Sequence, residues 1–328
     1  MGSRPFSNAD PFLQLIVLCL IAFFCVGVSM LMGQGLLNAL WGVNLFENTS
    51  ALSDYEDENV VQMNRVLLFF QHLGLFVIPA IFFARLSSVD WKKYLGFRFI
   101  MSRIAIASAL VIIAALPLIN VMAWFNEGLA LPESLSSLEE VFAGMEETAQ
   151  KLTMAIAGTG SVSSLMVNIL VMALLPALGE EMIFRGLMIP IFRKWTGNVH
   201  VAVWLSAFLF SAMHFQFYGF IPRFLLGALL GYLFVWSKSI WAPIIAHFVN
   251  NALALILLFM MARGSISEDL DSFDPDFSGW LLVGISAIAV SGLIFYITKY
   301  SKGWKNNRQA EQLQKGLEES QLDDQGYS

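Results

Sequence analysis

The sequence predicts an all-α fold: a polytopic membrane helix bundle of about eight transmembrane helices. Three observations carry that prediction. Of 328 residues, 57% are hydrophobic and only 13% charged, against roughly 45–50% and 25% in soluble domains. Apolar runs close to the length needed to cross a bilayer recur along the chain. The loops between them alternate between basic and acidic. A net charge of -6 without a basic stripe excludes nucleic acid as a partner. Cys19 and Cys25 both fall in the first apolar run, so they form neither a disulfide framework nor a metal-ligand spacing, and read as lipid-facing or packing residues.

The spans fall at about 12–34, 64–84, 104–125, 165–192, 199–217, 220–237, 239–262 and 279–298. The first is longer than a signal-peptide core and lacks a clean small-x-small cleavage site, so it reads as a retained helix. Proline inside several spans (Pro79, Pro117, Pro176, Pro243) is compatible with membrane helices. The order divides the chain into five stretches: 1–63, first helix and acidic outer loop; 64–164, helices two and three with an amphipathic segment at 136–156; 165–262, a catalytic core; 263–298, an acidic loop and the last helix; 299–328, a polar tail read as helical or disordered.

Loop charge orients the bundle. Arg85, Lys92, Lys93, Arg98 and Arg103 follow span two, Arg193 and Lys194 follow span four, and Lys299, Lys302, Lys305, Arg308 and Lys315 lie in the tail. The alternate loops hold Glu47, Asp54, Glu56, Asp57 and Glu58, then Glu268, Asp269 and Asp271, with few bases (Arg65, Lys151, Arg223, Arg263). The positive-inside rule then puts both termini in the cytoplasm, consistent with eight crossings. In the segment 136–156, Leu138, Val141, Phe142, Met145, Leu152 and Ile156 share helical spacing, with Ser136 and Glu139 as a candidate capping box. It is either a surface helix packed on the bundle or an interfacial helix guarding an entrance.

Ionisable groups at membrane depth are costly, so each is a functional hypothesis. Span four places Glu180 and Glu181 side by side, followed by Arg185. Glu181 and Arg185 are i,i+4 and pair on one face; Glu180 points about 100° away and stays free to take a proton from water. His214 ends span five, and His247 and Asn251, again i,i+4, lie in span seven. At about 1.5 Å per residue from the cytoplasmic ends, Glu180 lies roughly 20 Å up, His214 roughly 22 Å and His247 roughly 13 Å, all within the hydrocarbon. Pro176 and Pro243 each precede one of these groups by four residues and are candidates for kinks opening a polar cavity.

At these residues the chain resembles the CPBP family of intramembrane proteases, also called Abi or type II CaaX-protease-like. The family's EExxxR, FxxxH and HxxxN/D motifs stand here as Glu180-Glu181-xxx-Arg185, Phe210-xxx-His214 and His247-xxx-Asn251, in order, on three predicted helices. The resemblance implies an endopeptidase acting on a membrane-associated peptide or protein at the lipid bilayer; the compact chain, with nothing that suggests an organelle signal, suits a bacterial inner membrane. Glu180 would be the general base, His214 a water-positioning or proton-transferring residue, His247 and Asn251 oxyanion donors, and Glu181 with Arg185 a structural pair. No cofactor is favoured. Zinc on Glu180, His214 and His247 is the alternative, although HExxH is absent. A different class of function remains open: a non-catalytic scaffold, transporter or bacteriocin-immunity protein binding through the same cluster. Outside the motifs, His72 and His200 read as packing or interface residues and Asn250 as ambiguous. Gly227-xxx-Gly231 reads as close packing within the bundle, and the Asn48 sequon as a frequent chance match.

Overall fold

In a computed structural model, the chain is described over residues 5–129, 132–158, 161–266 and 276–325, the last part (302–325) by its backbone. The acidic residues Glu268, Asp269 and Asp271 lie outside these stretches. No strand occurs among the described residues, and seven helices are long and apolar enough to cross a membrane. We number nine helices: α1 (Pro11–Trp41), α2 (Glu58–Ser87), α3 (Ser102–Glu127), α4 (Ser136–Gly158), α5 (Val162–Thr196), α6 (Val199–Ala212), α7 (Phe220–Ser237), α8 (Trp241–Ala262) and α9 (Phe277–Gln325). All but α4 and α6 are among the seven, α9 through its segment Phe277–Ser301. The protein is thus a multi-pass integral membrane protein.

Local chemistry sets the ends. Asp10 caps α1 by accepting from the backbone N–H groups of Phe12 and Leu13, with Pro11 in the first turn, where its missing N–H costs nothing. Gly42 closes α1 in the left-handed conformation. Between α5 and α6, Gly197 is again left-handed and Asn198 caps α6 through the N–H of His200. The apolar shell of α1, including Phe23 at 80% and Phe24 at 71% exposure, is left uncovered by the described residues. In a bilayer that surface faces acyl chains.

Three stretches of π-helix interrupt these helices: Leu73–Val77 in α2, and Ile169–Leu174 and Met182–Met188 in α5. Each ends two residues before a proline: Pro79, Pro176 and Pro190. A proline ring collides with the carbonyl four residues back and leaves it without a donor. Here those carbonyls belong to Leu75, Met172 and Gly186, all inside the π stretch. Widening the turn relieves the collision without breaking the helix. Pro243 sits in the first turn of α8, so it makes no kink there.

Close approach of α2 to α5 depends on Gly179. A Cβ at this position would stand 2.8 Å from Phe76 Cβ and 3.0 Å from Val77 Cγ2. Gly179→Ala is expected to destabilise the fold by about 1–3 kcal/mol through overpacking, read as a lower melting temperature in detergent. Gly227 and Gly231 do the same between α6 and α7: a Cβ would meet Phe210 at 3.0 Å and Val203 at 2.9 Å, respectively. That glycine pair packs within the bundle. The core joins Phe76, Phe83, Phe184, Leu187, Phe210 and Ile244 from α2, α5, α6 and α8.

The amphipathic segment forms α4, but not with the expected cap. Ser136 lies within a helix preceded by the 3-10 turn Glu133–Leu135, and Glu139 accepts from the Tyr218 hydroxyl (3.1 Å) instead. The backbone N–H of Tyr218 also donates to Glu146 (3.0 Å). At the other end, the Ile156 carbonyl accepts from Arg65 (3.2 Å) and Asn168 (2.7 Å). A cation at a helix C-terminus suits its dipole. Leu138, Val141 and Met145 remain exposed. Arg65, counted from sequence among the loop charges, is therefore a buried side chain of α2.

Candidate active site

A cavity of about 240 Å³ opens among α2, α5, α6, α7 and α8, and Glu180, His214, His247 and Asn251 all line it. Glu180 is 5% exposed and Glu181 fully buried. The two carboxylates divide as their helical phase predicts. Glu181 Oε1 accepts from Arg185 Nη1 at 2.9 Å. Arg185 Nη2 donates to the carbonyl of Gly227 (2.8 Å), and its guanidinium lies 4.6 Å from the centre of the Phe210 ring. Two buried charges are tolerable when paired and hydrogen-bonded in this way.

The structure adds a link that helical phase does not reveal. His247 Nδ1 donates to the same Glu181 Oε1 at 2.8 Å. Its other nitrogen, Nε2, then faces Glu180 Oε2 at 3.9 Å. The Glu181–Arg185 pair is thus also the support that turns His247 toward Glu180, in the way an outer partner fixes an imidazole's tautomer. Phe210 is the hub: its ring lies 5.3 Å from His214, 5.8 Å from His247 and 5.3 Å from Phe184, all edge-on. That contact set is the physical content of the FxxxH spacing.

His214 does not end a helix. α6 stops at Ala212, and His214 lies in a turn, followed by Phe215 at φ 53°. A non-glycine residue in this left-handed region is strained and needs the surroundings to hold it. Asn126 supplies part of that hold, donating to the Phe217 carbonyl (2.8 Å) and accepting from the Ile221 N–H (2.7 Å). Nδ1 of His214 donates to the Phe210 carbonyl at 2.8 Å.

Three further polar residues line the cavity: His72, Asn250 and Arg223. His72, read from sequence as packing, has Nε2 3.7 Å from Glu180 Oε1. Asn250 donates to Asn251 Oδ1 (3.1 Å), which orients that amide. Arg223, counted among loop charges, is a pocket residue: it donates to Gln216, and its Nη1 is buried without a hydrogen-bond partner among the described residues. One signal was present for both missed residues, because each is an ionisable side chain within an apolar span. His200, in contrast, binds the Tyr232 hydroxyl (2.9 Å) between α6 and α7, a packing role.

Among the described residues, no group of three or more His, Cys, Asp or Glu side chains is arranged to hold a metal ion.

Comparison with known proteins converges on the same helices. Residues 162–253 match the family model of the Rce1-like type II CAAX prenyl endopeptidases. The similarity to that family lies in this stretch, which runs from the start of α5 into α8 and includes every motif residue, whereas His72 lies outside it. Sporulation-killing factor biosynthesis protein SkfC of Bacillus subtilis (strain 168) is 37% identical over 96 residues, 27% of this chain and 18% of that protein. Uncharacterized protein YpbD of the same organism is 30% identical over 89 residues, 26% of this chain and 42% of that protein. The chain therefore spans less than half the length of either relative. No solved structure matches the chain.

Proposed function

We propose that the protein is an intramembrane endopeptidase of glutamate type, hydrolysing a peptide bond in a membrane-associated protein or peptide. One observation carries this reading. Glu180 is a buried carboxylate at a pocket, with no Lys or Arg ion pair among the described residues, while its neighbour Glu181 holds both Arg185 and His247. A carboxylate so placed has a lone pair for a proton. Glu180 takes a proton from water as the water oxygen attacks the carbonyl carbon, and passes it to the leaving nitrogen when the C–N bond breaks. His247 turns Nε2 toward this exchange, and His214 lines the same cavity. With the Nδ1 proton of His247 held by Glu181, the N–H donors for the oxyanion are those of Asn251, oriented by Asn250, and of Arg223. The membrane is a bacterial inner membrane with both termini cytoplasmic. The burial of Arg65 and Arg223 supports this orientation, because it removes two bases from the acidic side. The reaction requires no metal.

Membranes from cells producing the wild type or Glu180→Ala, compared by quantitative proteomics, test the reading. A precursor is expected to accumulate uncut with Glu180→Ala, and the wild type is expected to keep cutting it in the presence of a chelator. Identical membrane proteomes from the two strains would favour a scaffold, transport or immunity role for the cluster. Loss of cutting on chelation, restored by zinc, would overturn the metal-free mechanism.

A further inference from the structure

We propose that His72 is a catalytic residue that holds the attacking water jointly with Glu180, an assignment that rests on the protease reading above. His72 comes from α2, outside the residues 162–253 that match the family model. Its ring is oriented by its own helix: Nδ1 makes a 2.9 Å hydrogen bond with the carbonyl of Leu68. A carbonyl only accepts, so Nδ1 carries a proton, and in the neutral ring, the form that acts here, Nε2 is the lone-pair nitrogen. That lone pair faces Glu180 Oε1 at 3.7 Å.

Two acceptors facing each other at this separation repel unless a donor lies between them. The gap is too long for a direct hydrogen bond. It is short enough for one water, at about 2.8 Å from each, to donate to both. Such a water has both O–H bonds committed, so its lone pairs point away from the two acceptors and into the pocket. That is the orientation a nucleophile needs, and it is obtained before substrate arrives. The water oxygen bonds to the carbonyl carbon. The hydrogen on the Glu180 side moves to the carboxylate and then to the leaving nitrogen. The hydrogen on the His72 side stays on oxygen and leaves with the new carboxyl group.

The local fold serves this placement. The π stretch Leu73–Val77 begins immediately after His72, and Gly179 accepts Phe76 and Val77 against α5 one residue before Glu180. The His72 ring also lies 5.8 Å from that of Phe76, which in turn lies 6.3 Å from Phe184. Helices α2 and α5 are therefore locked together where the two acceptors meet.

The test uses full-length protein and, as probe, a peptide spanning the cut site of the precursor that accumulates with Glu180→Ala. Turnover is measured for the wild type and for His72→Phe, His72→Gln and His72→Asn, each with a detergent melting curve. His72→Phe is expected to lower kcat about 10- to 100-fold with KM little changed. Glutamine places an acceptor oxygen close to the Nε2 position, so His72→Gln is expected to recover part of the loss. Asparagine reaches only to the Nδ1 position, and His72→Asn is expected to stay slow. A His72→Phe protein with wild-type kcat, or a His72→Gln protein as slow as His72→Phe, overturns the assignment. Should His72→Phe fail to fold, the difference between His72→Gln and His72→Asn decides in the same way. If Glu180→Ala turns over the probe like the wild type, the protease reading itself fails; if only the His72 variants do, the failure is confined to His72.

Discussion

Glu180→Gln is expected to leave the protein folded and to stop peptide hydrolysis. The substitution keeps size and shape and removes only the capacity to accept a proton. No side-chain cation is hydrogen-bonded to Glu180, so nothing is orphaned when its charge goes; its nearest ionisable partners are His72 and His247, at 3.7 and 3.9 Å. The melting temperature in detergent should stay close to that of the wild type. The rate should fall by about 10²- to 10⁴-fold, the range general base catalysis contributes. Side-by-side melting and turnover measurements check both halves. Turnover at the wild-type rate would remove Glu180 from the chemistry, and a collapse of the fold would make it a structural residue.

Arg185→Met is expected to do the opposite first: it should damage the fold and lose activity as a consequence. Glu181 is fully buried, and both of its hydrogen bonds run to Oε1, from Arg185 and His247, while Oε2 has no partner among the described residues. Removing the guanidinium strands that charge and leaves the Gly227 carbonyl without its donor. Breaking a buried pair on one side costs about 3–5 kcal/mol. Removing both charges, in Glu181→Gln with Arg185→Met, is expected to recover much of the melting temperature, because a neutral amide has far less to lose on burial. Activity should stay low in the double variant, since a glutamine holds the His247 proton more weakly than a carboxylate. A double variant no more stable than Arg185→Met would mean that the arginine acts through packing on Phe210 rather than through charge.

The helical fold, its spans and the EExxxR pairing were legible because each depends on local sequence. Apolar length marks a span, and i,i+4 spacing puts Glu181 under Arg185. The residues that escaped depend on tertiary position. His72 has no motif around it, and only the approach of α2 at Gly179 brings it to Glu180. Arg223 follows a loop in sequence yet points inward. The depth estimate placed Glu180 and His247 within roughly 7 Å of one another in height by counting 1.5 Å per residue, a gap that their long side chains span to bring Glu180 Oε2 and His247 Nε2 within 3.9 Å. The end of span five was set too late because the left-handed Phe215 and the hold of Asn126 on the turn leave no trace in an apolar run.

The burial of Glu180 limits the conformation in which a substrate could be cut. Its carboxylate is only 5% exposed, at a cavity between helices, whereas the carbonyls of an α-helix are sheathed by its own turns and side chains in a cylinder about 10 Å across. On the protease reading, a membrane-embedded segment is expected to unwind before it is cut, and its freed amide groups must then find partners in the cavity, because hydrocarbon offers none. Selection among membrane proteins would accordingly depend less on the side chains flanking the bond than on how easily the helix frays there. Glycine, proline or a helix end near the polar headgroups would mark a segment for cutting, and an unbroken leucine-rich span would be spared.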